Sequence, residues 1–194
     1  IKKGYVRNNL INSSFDGEVE FKPNFFLNLT FEPTILKMEK LFPVIKKRYF
    51  FDDIDMLKLI KKINGSFTFK KLFQGNVIFE NGEILFTNFK IGINNSLQFD
   101  ARISEFGKKG KIHFNISKAI SYKKGSSKEL KISGFMIPSS SKIIFEKMIF
   151  DKKDYTEEQI NNYEVKFMNE VVQQSLSHIF NISKMNNFFN NFKN

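Results

Sequence analysis

Residues able to carry acid-base, nucleophilic or metal chemistry are few in this sequence and badly spaced for it. The two histidines, His113 and His178, have no partner at metal-ligand spacing, and no His-Glu-x-x-His pattern occurs. His113 reads as a solvent-facing strand residue. His178 reads as a surface or helix-end residue favoured by the helix dipole. Asp52, Asp53 and Asp55 cluster but lack the Gly and terminal Glu of a calcium loop, so they read as the cap and first turn of a helix at Ile54. Ser139-Ser140-Ser141 follows Pro138 without a G-x-S-x-G motif or a His and Asp partner set, and reads as a turn. Gly107-Lys108-Lys109-Gly110 is too short for a phosphate loop and leads into a strand, where a Walker motif needs a helix. Sequons such as Asn28-Leu29-Thr30 are expected by chance in so Asn-rich a chain. The sequence therefore points to a protein that is not an enzyme, with no metal and no cofactor.

What remains is the apolar material and the elements that must place it. At 194 residues the chain is long enough to bury a sizeable core. It holds 25 Phe, no Trp and no Cys, alongside many Lys, Asn and Ile. Those four abundant types have codons made only of A and T, so an AT-rich genome inflates them together and discounts composition as an argument. Absence of Cys excludes a disulfide framework and thiolate metal sites without fixing a compartment. The formal net charge is +11, but the Lys lie in pairs along the whole chain, from Lys2-Lys3 to Lys152-Lys153. That scatter suits solvated turns and strand faces, or contact with anionic lipid head groups, and no nucleic-acid reader motif accompanies it. No signal peptide and no apolar run of membrane-spanning length is present. The chain opens at Ile1 without an initiator Met, straight into a strand-like pattern, and reads as a fragment with an upstream part missing.

Period-2 alternation runs through most of residues 1–150. Phe25, Leu27, Leu29 and Phe31 alternate after Pro23-Asn24; Asn64-Gly65 and Asn81-Gly82 are turn signals; residues 99 to 117 form a hairpin about a basic turn. The array predicts a mainly β fold, a meander of consecutive antiparallel strands. Between Pro33 and Ile63, the runs Ile35–Leu41 and Ile54–Ile60 predict one or two short helices interrupted at Pro43. Thr156-Glu157-Glu158-Gln159 fits a capping box, and the apolar stripe that follows predicts a C-terminal helix over about 155–180. A short further helix is expected around Met185 to Phe192. The organisation is a sheet region, 1–150, with a helical insertion at about 34–62, and a helical segment, 151–194, in one structural domain.

The run Gly75-Asn-Val-Ile-Phe-Glu-Asn-Gly82-Glu-Ile-Leu-Phe-Thr-Asn-Phe-Lys-Ile91, then Leu97 to Ile103, then Gly110 to Ile116, resembles the C-terminal region of AsmA-like proteins. There a "G-x-I-x-F-x-N-G" strand and turn leads to "I-x-N-x-x-I", an alternating strand and a short glycine turn. Glu157 through Phe192 is similar to the terminal helices of versions from AT-rich alphaproteobacteria. The resemblance spans most of residues 16 to 192. It implies kinship with the TamB and bridge-like lipid-transfer group: a curved, taco-shaped antiparallel groove, an N-terminal inner-membrane anchor absent from this chain, and a periplasmic location. It further implies a part in moving phospholipid to the outer membrane or in outer-membrane protein assembly, and it supplies no catalytic residues.

Two expectations follow for the apolar face. It lines a groove for phospholipid acyl chains, through Phe67, Phe69, Leu97, Phe99, Ala101, Ile103, Ile112, Phe114, Ile116, Leu130 and Ile132, with Lys at the rim meeting phosphate. Alternatively it is the covered core of a structural β-sandwich module that docks another envelope protein.

Overall fold

A strand whose apolar and polar residues alternate can bury one side only, and neighbouring strands must present those sides to a common face. The computed structural model describes residues 1–21, 25–48, 58, 60–91, 97–121 and 127–191. Its strands are β1 (Gly4–Arg7), β2 (Ile11–Glu20), β3 (Phe25–Leu36), β4 (Ile63–Phe69), β5 (Gln74–Glu80), β6 (Glu83–Ile91), β7 (Leu97–Ile103), β8 (Ile112–Ser121), β9 (Ser127–Ile137), β10 (Lys142–Phe150) and β11 (Lys153–Asp154). They form one open sheet, not closed into a barrel, in which strand order equals sequence order. The fold is mainly β, as the alternation predicts, and the described strands make one sheet, not the two of a sandwich.

The predicted meander holds at every junction but one. β3 and β4 pair in parallel, Phe25 opposite Ile63 and Phe31 opposite Phe69. A parallel pair needs a crossover instead of a tight turn, and the segment between Leu36 and Ile63 supplies it. Asn64-Gly65, expected as a turn, lies inside β4. Gly65 has φ +137°, and a Cβ there would strike the Leu27 carbonyl of β3, so the glycine serves a close strand approach. Asn81-Gly82 is the two-residue turn its sequence indicates, with φ of 52° and 79° between Glu80 and Glu83.

The helices also differ from expectation. Ile35 and Leu36 finish β3, and α1 (Met38–Lys46) begins after them with Pro43 inside it, not at a break. Of the second predicted helix, Lys58 and Ile60 are helical; the rest, with Asp52, Asp53 and Asp55, lies outside the described residues. The C-terminal helix is shorter than its stripe. α2 (Glu157–Phe167) opens with the predicted capping box, Thr156 Oγ1 accepting the Gln159 N–H and Gln159 Oε1 accepting the Thr156 N–H. It passes into a π turn (Met168–Val172) that ends at Gln173, whose φ is 52° and whose N–H donates to the Met168 carbonyl at 2.7 Å. A 3-10 turn (Leu176–Phe180) and α3 (Ile182–Asn190) follow. Leaving the helical path at Gln173 lets the chain fold back, so that Val171, Val172, Leu176 and Phe189 are all buried.

Candidate functional site

Register turns the alternation into continuous rows. Leu29 pairs with Phe67, Phe67 with Val77, Val77 with Phe86, Phe86 with Ala101, Ala101 with Phe114, Phe114 with Gly134 and Gly134 with Phe145. One apolar row thus crosses eight strands, β3 to β10, on a single face. A neighbouring row runs Phe99, Ile116, Ile132, Met148, and another runs Ile103, Ile112, Met136, Ile143.

All eleven sequence-predicted face residues lie on this face, in two settings. Leu97, Ala101, Ile103, Ile112, Phe114, Leu130 and Ile132 are buried; Phe67, Phe69, Phe99 and Ile116 are half-buried. The chain's own helices cover part of the first setting. α2 packs on β10 and α3 on β8. Phe167 fills the centre, its ring 5.3 Å from Phe145 and 5.1 Å from Phe188, between centroids. Toward β2–β6 the same face carries an aromatic ladder of half-buried rings: Phe15 to Phe31 at 5.5 Å, Phe31 to Phe67 at 5.4 Å and Phe67 to Phe79 at 5.1 Å. Phe31 also stacks on Phe69 at 5.5 Å. Phe15, Phe31 and Phe79 belong to the site although the sequence reading did not place them there. Their parity with Leu29 and Phe67, once strands are paired, is the signal that finds them.

One member of the rows is not apolar. Lys118 sits between Leu97 and Leu130, is only 3% exposed, and donates from Nζ to Asn186 Oδ1 of α3 at 2.9 Å. Burial pushes its ammonium below the ordinary lysine range. It was legible in principle, since residue 118 has the same parity as Ile112, Phe114 and Ile116.

The residues first weighed for chemistry stay apart. His113 is exposed on the other face, beside Phe135. His178 is half-buried in the last turn of the short 3-10 helix, its Nδ1 2.9 Å from the Val172 carbonyl oxygen. Ser139 donates to the Lys108 carbonyl at 2.6 Å, joining two turns. Among the described residues no group of three acidic or His side chains could hold a metal ion, and no helix is long and apolar enough to cross a membrane. On the opposite face Gln98, Asp100, Asn115, Ser117, Lys131 and Lys147, with Ile149 among them, line a shallow depression of about 260 Å³. Its two lysines are paired internally, Lys131 with Glu129 at 3.0 Å and Lys147 with Asp154 at 3.6 Å. The depression therefore offers little net charge to a ligand.

No family model, curated protein or solved structure matches this chain.

Proposed function

We propose that the β2–β6 part of the apolar face shields phospholipid acyl chains, and that the protein is a non-enzymatic component of envelope biogenesis. In this reading it works in the periplasm, tethered to the inner membrane by a segment outside this chain. It passes lipid between inner and outer membranes or supports outer-membrane protein assembly. The observation that carries the reading is the ladder of half-buried rings at Phe15, Phe31, Phe67 and Phe79 on an open sheet, whose helices α2 and α3 pack on β10 and β8.

Size and chemistry agree with that occupant. Four interstrand steps from β2 to β6 give about 19 Å of wall. One bilayer leaflet, about 15 Å of hydrocarbon, is of the same length. An acyl chain needs only continuous apolar contact, worth about 0.8 kcal/mol per buried methylene, so no fixed polar constellation is required. Head groups would remain in water, within reach of an exposed cation such as Lys70 at the end of β4, whose neighbour Lys71 is paired with Glu32 at 2.6 Å.

The test is lipid copurified with the full chain under native conditions, measured by mass spectrometry. Phospholipid is expected in the wild type, with Phe67→Asp keeping its strand signal in circular dichroism and losing most of the lipid. Phe114→Asp, at a buried position, is expected to unfold. A lipid-free wild type, with Phe67→Asp changing nothing but stability, would overturn the proposal and favour an interaction module that docks an envelope protein.

A further inference from the structure

The apolar column of β3 runs past the ladder toward one end of the sheet. Phe25, Leu27, Leu29 and Phe31 share a face, and Phe25 stands opposite Ile63 at the start of β4. Phe21 lies beyond Glu20 and Phe26, the last residues paired between β2 and β3. It has the parity of Phe15 and Val19, its ring is 5.4 Å from that of Phe25, and it is 73% exposed. Phe26 belongs to the opposite, polar face, between Glu20 on β2 and Asn64 on β4, and is exposed as well. The alternation that builds the ladder leaves Phe26 unexplained, because its side is the solvated one. This end of the β2–β3 pair thus carries apolar rings on both faces.

Cations flank the rings. Lys61 and Lys62 are exposed and lead into β4, at the same end as Phe25. Lys61 also passes over the Asn81-Gly82 turn, where its Cγ would lie 2.9 Å from a Cβ on Gly82. Further along this end, Lys108 and Lys109 precede β8 and Lys142 opens β10, all three exposed. The exposed carboxylates here, among the described residues, are Glu20, Glu80 and Glu105, while Glu83 is paired with Arg102. Positive charge is therefore in excess.

We propose that this end of the sheet docks on an anionic bilayer surface. Phe21, Phe25 and Phe26 would enter the boundary between headgroups and acyl chains, and Lys61 and Lys62 would lie against lipid phosphate. A bilayer surrounds an inserted strand end on every side, so it can receive a ring from either face. A second protein suits the patch less well. With Phe21 73% and Phe26 36% exposed and Phe25 half-buried, about 200 Å² per ring leaves about 300 Å² in all, against about 800 Å² per partner in a stable interface. Docking here would stand the β3 column upright on the membrane, its apolar wall opening at the surface. The proposal does not rest on what occupies the ladder.

The experiment mixes the full chain with vesicles of phosphatidylglycerol and phosphatidylcholine in equal parts, and with vesicles of phosphatidylcholine alone. Cosedimentation with the anionic vesicles is expected, weakened by added salt and about tenfold weaker on the neutral ones. The chain holds no Trp, so Phe21→Trp makes a single reporter. Its emission should shift to the blue and be quenched by brominated acyl chains, whereas Leu72→Trp, exposed at the opposite end of the sheet, should not respond. Phe21→Asp combined with Phe26→Asp should keep the thermal transition and lose about tenfold or more in vesicle affinity. Lys61→Glu combined with Lys62→Glu should bind both kinds of vesicle alike. Phe67→Asp, which tests the ladder, should bind vesicles as the wild type does, so docking and acyl shielding can fail separately. No binding, or an unshifted Phe21→Trp on bound vesicles, would overturn the proposal. So would self-association without vesicles that the paired Asp substitutions abolish, which would mean that a second copy covers the rings.

Discussion

Lys118 is where a single residue departs from its row. Its neighbours on the face are hydrocarbon, and its ammonium is held by the Asn186 side chain. Because burial lowers its pKa, the unfolded chain binds more protons than the folded one between that lowered value and the ordinary 10.5. Stability then rises with pH across the window, and below it the charged form carries the full desolvation cost. Lys118→Met is expected to raise the melting temperature at pH 7, by about 1 kcal/mol of stability, since well-packed hydrocarbon commonly replaces a buried charge without loss. That advantage should shrink as the pH approaches 10.5, in thermal scans of both proteins across the range. Parity alone places Lys118 on the apolar face. Its tie to Asn186 was not legible, because it depends on α3 returning over β8, 68 residues along the chain.

At the scale of elements, strands were far more legible than helices. Alternation is a local property that survives any pairing, so β5 to β10 stand where the sequence places them. Parallel pairing of β3 with β4 left no such mark, because the same alternating run serves either direction. The π turn and the break at Gln173 were hidden for another reason. The apolar stripe from Ile160 onward continues smoothly past a backbone departure that only the packing of Leu176 and Phe189 explains. Two side chains secure α2. Thr156→Ala removes the cap and should cost about 1 kcal/mol in denaturant unfolding. Glu164→Ala leaves the Phe145 N–H of β10 without its acceptor, and should cost about 1–3 kcal/mol while speeding exchange of that amide. Glu164→Gln, which keeps a carbonyl acceptor, should recover most of the loss.

For the molecule as a whole, the apolar face was readable but its division into two halves was not. Nothing in the alternation of Phe99, Phe114 or Phe67 says which of them a helix will cover; that follows from where α2 and α3 dock. Phe167 joins the layers, with Phe145 on one side and Phe188 and Phe189 on the other. Phe167→Ala is expected to cost about 3–5 kcal/mol and to increase binding of an apolar fluorescent dye, as the helices loosen from β8 and β10. Strand order that follows sequence order has a further meaning during synthesis. Each strand emerging from the ribosome finds its neighbour already made, whereas α2 and α3, which pack on β10 and β8, are translated after them. At about 5–20 residues per second, the stretch from Phe150 to Phe189 keeps that face bare for about 2–8 s. A nascent chain would thus pass through a sticky stage lasting seconds, and a holding chaperone would find its binding surface there.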